Sequence, residues 1–259
     1  MKYGILVDTT KCNSCESCVM ACAEEHNIDP QQAIREKVIN KDGLSAHRLS
    51  DITTISKGHF ARKSCMHCLE PSCVSACLVG SLTKTPEGPV VYDASLCVGC
   101  RYCMVACPFN VPQFEWQNAI PSIKKCTLCR ETKLKEGKPT SCSSVCPAGA
   151  ISFGKRSDLI KLARKRIEKD PELYQDHIYG EKEVGGTGVL YLARPKMQFA
   201  SLGLPAFKYR TVAGLTESIQ HRIFQYFIPP IAVYSILGGI MYRNQSRKKN
   251  GGEEGGSHE

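Results

Sequence analysis

Along the first 156 residues the apolar positions fall in short runs separated by polar and turn residues, a strand-and-turn rhythm. Leu6-Val7-Asp8 and Val91-Tyr92-Asp93 are two such runs, each ending on an aspartate. Beyond them the pattern lengthens. Leu159, Ile160, Leu162, Ala163 and Ile167 recur at helical spacing, so a helix is expected from a cap at Ser157 through about Lys169, with Pro171 ending it. Its other side carries Lys161, Arg164, Lys165, Arg166 and Lys169, expected to be a solvated face. Residues 188–193 predict a strand after the glycine-rich stretch 184–188, and residues 195–218 an extended connector. Between Arg222 and Arg243 lie 20 residues without a charge, and a helix of that length is about 30 Å long, the thickness of a bilayer's hydrocarbon core. Tyr226, Phe227 and Tyr242 suit membrane interfaces, and Gly238-Gly239 suits close helix packing. Pro229-Pro230 predicts a kink, which neighbouring helices accommodate in a membrane. A single transmembrane helix is therefore expected over residues 219–243, followed by a disordered Gly/Glu-rich tail over 244–259.

The chemistry enters with sixteen cysteines, which fall into four groups of four with none left over. Cys12, Cys15, Cys18 and Cys22 are spaced C-x2-C-x2-C-x3-C, and Cys97, Cys100, Cys103 and Cys107 repeat that spacing. Between them stand Cys65, Cys68, Cys73 and Cys77, and after them Cys126, Cys129, Cys142 and Cys146. A C-x2-C-x2-C triplet can wrap three thiolates around one iron–sulfur cube while the fourth cysteine, three residues on, reaches a neighbouring cube. Four groups predict four [4Fe–4S] clusters and an electron wire.

Disulfides and zinc are the competing readings. Disulfide frameworks belong to short secreted chains that cannot build a core, whereas this one has 259 residues, 42% of them hydrophobic. Zinc ribbons pair two C-x2-C units around one tetrahedral site, so the fourth group alone could pass for zinc. The first and third groups could not, because a third cysteine in the knuckle has no role in a four-ligand site. The formal charge of +9 invites a nucleic-acid partner. Ligation by sixteen thiolates around four oxidised cubes would bring that charge to about +1, so no polyanion need be invoked. Neither a Gly-rich nucleotide fingerprint nor a Ser/His/Asp arrangement stands out, and the chain is expected to be non-catalytic. His67, inside a knuckle, could tune its cluster by hydrogen bonding or be a surface histidine, and His221 is an expected interfacial hydrogen-bonding residue. Tyr102, Phe114 and Trp116 are expected as core packing.

Internal repetition organises the chain. The aspartate-to-cysteine interval before Cys12 recurs before Cys97, Val19-Met20-Ala21-Cys22 matches Met104-Val105-Ala106-Cys107, and the exits after Cys77 and Cys146 resemble each other. Two ferredoxin-like modules in an α+β fold are expected. Residues 23–64 form a long polar insertion with turn signals at Asp29-Pro30 and Asp42-Gly43. Arg243, Arg247, Lys248 and Lys249 crowd the far flank of the apolar run, which predicts a cytoplasmic C-terminus and a periplasmic cluster domain. The N-terminal residues show neither a signal peptide nor a twin arginine, so export as the passenger of a signal-bearing partner is expected.

The four-group pattern resembles the four-cluster iron–sulfur subunits of membrane-bound oxidoreductases. Cys97 through Pro112, Cys65-Met66-His67-Cys68, residues 179–183 and Ile219-Gln220-His221 are similar to the membrane-anchored electron-transfer subunit of hydrogenase-2, and the chain also resembles the respiratory formate dehydrogenase β subunit. It departs from the common pattern where Ala23 and Leu78 follow Cys22 and Cys77 in place of proline. The resemblance implies crossed ligation. Cys12, Cys15 and Cys18 would share a cube with Cys146, and Cys126, Cys129 and Cys142 with Cys22. Cys65, Cys68 and Cys73 would join Cys107, and Cys97, Cys100 and Cys103 would join Cys77. The first module is then residues 1–22 with 108–156, and the second is residues 65–107. A helix, strand and connector follow over 157–218. The implied partners are a catalytic subunit, either a nickel–iron hydrogenase or a molybdopterin oxidoreductase, and an integral membrane quinone- or haem-binding subunit of a respiratory chain in the inner membrane. The alternatives are a soluble zinc-binding regulatory protein, or a subunit carrying electrons from quinol to a terminal acceptor.

Overall fold

The computed structural model describes residues 2–39, 43–56, 58–116, 122–206 and 230–243. It divides into two compact units, Met1–Gly214 and Leu215–Glu259.

In the first unit the chain runs through β1 (Tyr3–Asp8), α1 (Ser17–Glu25), α2 (Pro30–Ile39), β2 (Asp51–Ser56), β3 (His59–Lys63), α3 (Ser72–Ser75), β4 (Leu82–Lys84) and β5 (Val90–Tyr92). It continues through α4 (Tyr102–Ala106), β6 (Gln113–Phe114), β7 (Ile123–Lys124), α5 (Ser141–Ser144), β8 (Ile151–Lys155), α6 (Arg156–Lys169) and β9 (Val189–Leu192). β1 is the centre of a three-stranded sheet, antiparallel to β8 and parallel to β9. The strand before the first cysteine group is thus zipped to the strand after the fourth. The pairs β2–β3, β4–β5 and β6–β7 are separate two-stranded ribbons.

Alternation along β1 divides two cores. Ile5 and Val7 face a core that contains Cys18, Cys65, Cys126 and Cys142. Leu6 faces the opposite way, against Leu159, Ala163 and Ile167 of α6 and Leu190 and Leu192 of β9. The glycine at position 4 is required by this packing, because a Cβ there would meet the Gly188 carbonyl oxygen.

Four sequence expectations are corrected here. The α6 helix begins at Arg156, and Ser157 does not cap it; Ser157 Oγ turns to Asp158 Oδ1 instead. The cause is Arg156, whose amide donates to the Lys2 carbonyl while its guanidinium takes the carbonyls of Thr187, Gly180 and Glu181. The basic side of α6 is only partly a solvated face: Arg166 Nη1 lies 2.8 Å from Oδ2 of the buried Asp8, which Tyr174 Oη also contacts at 2.9 Å. Trp116 is 59% exposed rather than core, with the Arg101 guanidinium 4.4 Å over its ring, a cation–π contact that needs no burial. Tyr102 is likewise exposed, whereas Phe114 is buried.

The segment 23–64 is built rather than merely looped. Asp29 Oδ1 accepts the Gln31 amide at the start of α2, so the Asp29-Pro30 signal opens a helix. Arg48, fully buried, bonds Asp51 through Nε at 2.7 Å, the Ala33 carbonyl at 3.0 Å and Glu16, inside the first knuckle, at 3.1 Å. Arg48→Met is expected to cost about 3 kcal/mol, the scale for stranding one partner of a buried pair. Denaturant unfolding of the cluster-loaded chain checks it, and a loss below about 1 kcal/mol would remove the clamp role.

Among the described residues no helix is long and apolar enough to cross a membrane. Residues 230–243 of the second unit are helical, a length of about 21 Å. Residues 207–229, which hold the second half of the expected connector and the beginning of the expected span with His221, and the tail 244–259 lie outside the described residues.

Candidate metal centres

All sixteen cysteines are free thiols. Cys15 and Cys100 are exposed, while Cys18, Cys22, Cys65, Cys73, Cys103, Cys126, Cys129 and Cys142 are buried. The knuckles are made by residues in the left-handed region: Ser14 and Glu16 in the first, His67 in the second, Gly99 and Arg101 in the third, Leu128 and Cys129 in the fourth. This conformation turns successive amides inward, as the Leu128 amide on Cys126 Sγ and the Gly99 amide on Cys97 Sγ show, each at 3.4 Å. A short helix follows three of the knuckles and carries the third cysteine of its group: Cys18 on α1, Cys73 on α3 and Cys103 on α4. Cys142 rides α5 in the same way. The fourth cysteine stands four residues on: Cys22 is still on α1, whereas Cys77, Cys107 and Cys146 lie past the ends of α3, α4 and α5.

The thiols gather across groups. Cys146 lines a cavity with Cys12, Cys15 and Cys18. Burial pushes the Cys12 thiol up, and the nearby charges of Cys146 and Cys15 add to that. Cys22 is pushed up to about 12 by burial and then by Cys142 and Cys129. The same meeting is drawn by His26, whose Nδ1 lies 2.9 Å from the Cys22 carbonyl and whose Nε2 lies 3.0 Å from Thr127 Oγ1, between Cys126 and Cys129. Cys68 is driven far above its ordinary value by burial, then by Cys65, Cys107 and Cys73. Cys103 is pushed up to about 12 by burial, then by Cys100, Cys77 and Cys97. Further interactions link the sets: Cys142 acts on Cys18, Cys65 on Cys126, and Cys103 on Cys73.

Thiols raised this far stay protonated at neutral pH unless a cationic centre draws off their protons. An all-sulfur donor set of this kind suits iron–sulfur clusters. Among the described residues no three His, Cys, Asp or Glu side chains converge closely enough for a single metal ion. A cube distributes its four thiolates over four irons, so its ligands stand wider apart than around one zinc.

Cationic side chains inside these sets escaped the sequence reasoning, and no local pattern marks them. Arg62, Lys125 and partly buried Lys84 stand among the thiols. Lys84 Nζ reaches the His67 and Gly88 carbonyls at 2.9 and 2.6 Å, and burial lowers it to about 8. Lys125 Nζ reaches the carbonyls of Val90 and Cys126. His67 is wholly buried, not a surface residue. Its Nδ1 accepts the Val90 amide at 3.1 Å, and burial, then Lys125, Lys84 and Arg62, hold the ring neutral. The proton is thereby assigned to Nε2, which has no protein partner among the described residues.

Residues 56–156 match the 4Fe-4S dicluster domain family. A protein of Nitratidesulfovibrio vulgaris is 46% identical over 200 residues, covering 74% of this chain and 54% of that protein, so the chain spans about half of that relative. The hydrogenase-2 operon protein HybA of Escherichia coli O157:H7 is 34% identical over 98% of this chain and 87% of its own length. The iron–sulfur subunit of the nitrate-inducible formate dehydrogenase of Escherichia coli K12 is 30% identical over 85% and 83%.

Proposed function

The chain belongs to the 4Fe-4S dicluster iron–sulfur subunits, homologous to HybA and the formate dehydrogenase iron–sulfur subunits, and from that premise we propose that it relays electrons through four [4Fe–4S] cubes between a catalytic subunit and a quinone-linked membrane subunit. The catalytic partner is a nickel–iron hydrogenase or a molybdopterin enzyme such as a formate dehydrogenase, and the membrane partner binds quinone or haem. The observation that carries the reading is the gathering of sixteen free cysteines into four cross-group sets.

The crossed ligand sets are proposed as the resemblance implied them: Cys146 with Cys12, Cys15 and Cys18; Cys22 with Cys126, Cys129 and Cys142; Cys107 with Cys65, Cys68 and Cys73; Cys77 with Cys97, Cys100 and Cys103. The cubes supply one-electron redox chemistry. This chain's residues hold them, screen them and order them. Cys18 and Cys22 share α1, Cys65 adjoins Cys126, and Cys73 adjoins Cys103. A linear wire follows, with the exposed Cys15 and Cys100 in the two terminal sets, where external donors and acceptors can approach. His67 Nε2–H is proposed as a hydrogen-bond donor toward the cube of its own knuckle, stabilising added negative charge.

Membrane anchoring by residues 219–243, with the tail cytoplasmic and the cluster domain periplasmic, is proposed on the uncharged run and its basic flank. The test of the main reading is analytical. Anaerobically purified protein is expected to contain about sixteen irons and sixteen acid-labile sulfides per chain, with no turnover of hydrogen or formate by the chain alone. Zinc as the main metal, or well under four cubes, would overturn it.

A further inference from the structure

Arg48 and Arg62 are both fully buried, and they are partnered in opposite ways. Arg48 has the carboxylates of Asp51 and Glu16 against it. For Arg62, on β3, no carboxylate among the described residues forms an ion pair. Its Nη1 donates to Ser64 Oγ at 2.7 Å, and Nε has no partner among the described residues. Its carbonyl accepts Tyr191 Oη at 2.8 Å, which pins the strand and fixes where the side chain starts. A guanidinium does not shed its proton, and leaving it uncompensated in a protein interior is strongly unfavourable. A negative partner is implied.

The surroundings supply it. Arg62 lines the cavity formed by Cys12, Cys15, Cys18 and Cys146. Its charge also acts on Cys22 and Cys126, the ligands of the adjoining set. Burial alone would depress the guanidinium, and the sulfurs of Cys142, Cys126, Cys18 and Cys22, once ionised as cluster ligation requires, oppose that and raise it. The ammonium groups of Lys84 and Lys125 differ, since each is already held by two backbone carbonyls.

We propose that Arg62 is the resident countercharge of the first module: its guanidinium stands between the two cubes held by groups one and four and raises the reduction potential of both. The inference rests on the four-cube reading. When a cube accepts one electron from its neighbour it gains one negative charge, and a fixed cation nearby stabilises the reduced form more than the oxidised one. Arg62 touches no substrate; it acts through the cubes, as a positioning charge.

The test is an EPR-monitored redox titration of the intact complex carrying wild-type chain, R62M or R62K. In R62M the reduced-to-oxidised ratio of the first-module cubes at a fixed potential is expected to fall by about tenfold, which for a one-electron step is about 59 mV. The second-module cubes should move by less than about twofold, and R62K should stay within about threefold of wild type, because the charge is kept. Unmoved potentials in R62M with four cubes present would overturn the proposal, as would an equal shift of all four. Should R62M fail to load the first module, R62K decides: retained potentials support the proposal, and a tenfold displacement despite the retained charge overturns it. Iron and sulfide contents accompany every sample, so a wild-type chain without cubes would count against the four-cube reading and not against Arg62.

Discussion

Cys146→Ser is expected to cost the cube built on Cys12, Cys15 and Cys18, and to leave the cube of its near neighbours Cys126, Cys129 and Cys142 in place. Sequence distance alone argues the reverse, because Cys146 is only four residues from Cys142. The geometry separates them. Cys142 sits on α5, whose helix ends at Ser144, and the chain then leaves through Val145 toward the cavity shared with the first knuckle. β8 continues that path and pairs with β1, the strand that delivers Cys12. Serine keeps the shape and replaces a soft thiolate with a far less acidic, harder donor, so the iron it faces is held by one bond fewer. The expected result is a loss of up to about four irons per chain and a change confined to one EPR signal. Cys22→Ser should do the converse, altering the signal of the Cys126, Cys129 and Cys142 set. If Cys146→Ser altered only that second signal, the crossed scheme would be wrong.

The cysteine groups were legible because knuckle spacing is a local property: ligand number and separation are written within one short stretch of chain, from Cys12 to Cys22 or from Cys97 to Cys107. The β1, α6 and β9 elements were legible for the same reason, each declaring its own period. What the sequence did not disclose is long-range. Asp8 meets Arg166 across 158 positions, which turns one member of an apparently solvated basic face inward. Trp116 looked like core by composition, but Arg101, outside the helix α4 that follows it, covers the ring at the surface. The insertion 23–64 looked like a polar loop because its two buried arginines, Arg48 and Arg62, are polar by type. Only their partners show that one clamps a knuckle and the other faces thiolates. Burial of a charge is a tertiary fact, decided by what other segments bring to it.

Deleting residues 223–259 is expected to move the chain from the membrane fraction to the soluble fraction in cells lacking the partner subunits, with its clusters retained. Retention is expected because the unit that holds the cysteines ends at Gly214. Release is expected from the character of the second unit. On the helix of residues 230–243, Ile231, Val233, Tyr234, Ile236, Leu237, Ile240, Met241 and Tyr242 are all exposed. These positions circle the helix rather than forming one stripe, and a helix that is apolar all round is stable against lipid or other helices, not water. Burying even half of these side chains in lipid outweighs the cost of holding a chain at the membrane, at roughly 1.5–3 kcal/mol each. In the proposed orientation the basic residues Arg243, Arg247, Lys248 and Lys249 would keep the far end on the cytoplasmic side. Two measurements check the proposal. A truncated chain that still sediments with membranes in the absence of partners would remove the anchor role from this segment. Protease added to intact spheroplasts should digest the cluster domain of the full-length chain. Complete protection there, with digestion only in inverted vesicles, would put the clusters on the cytoplasmic face and reverse the proposed orientation.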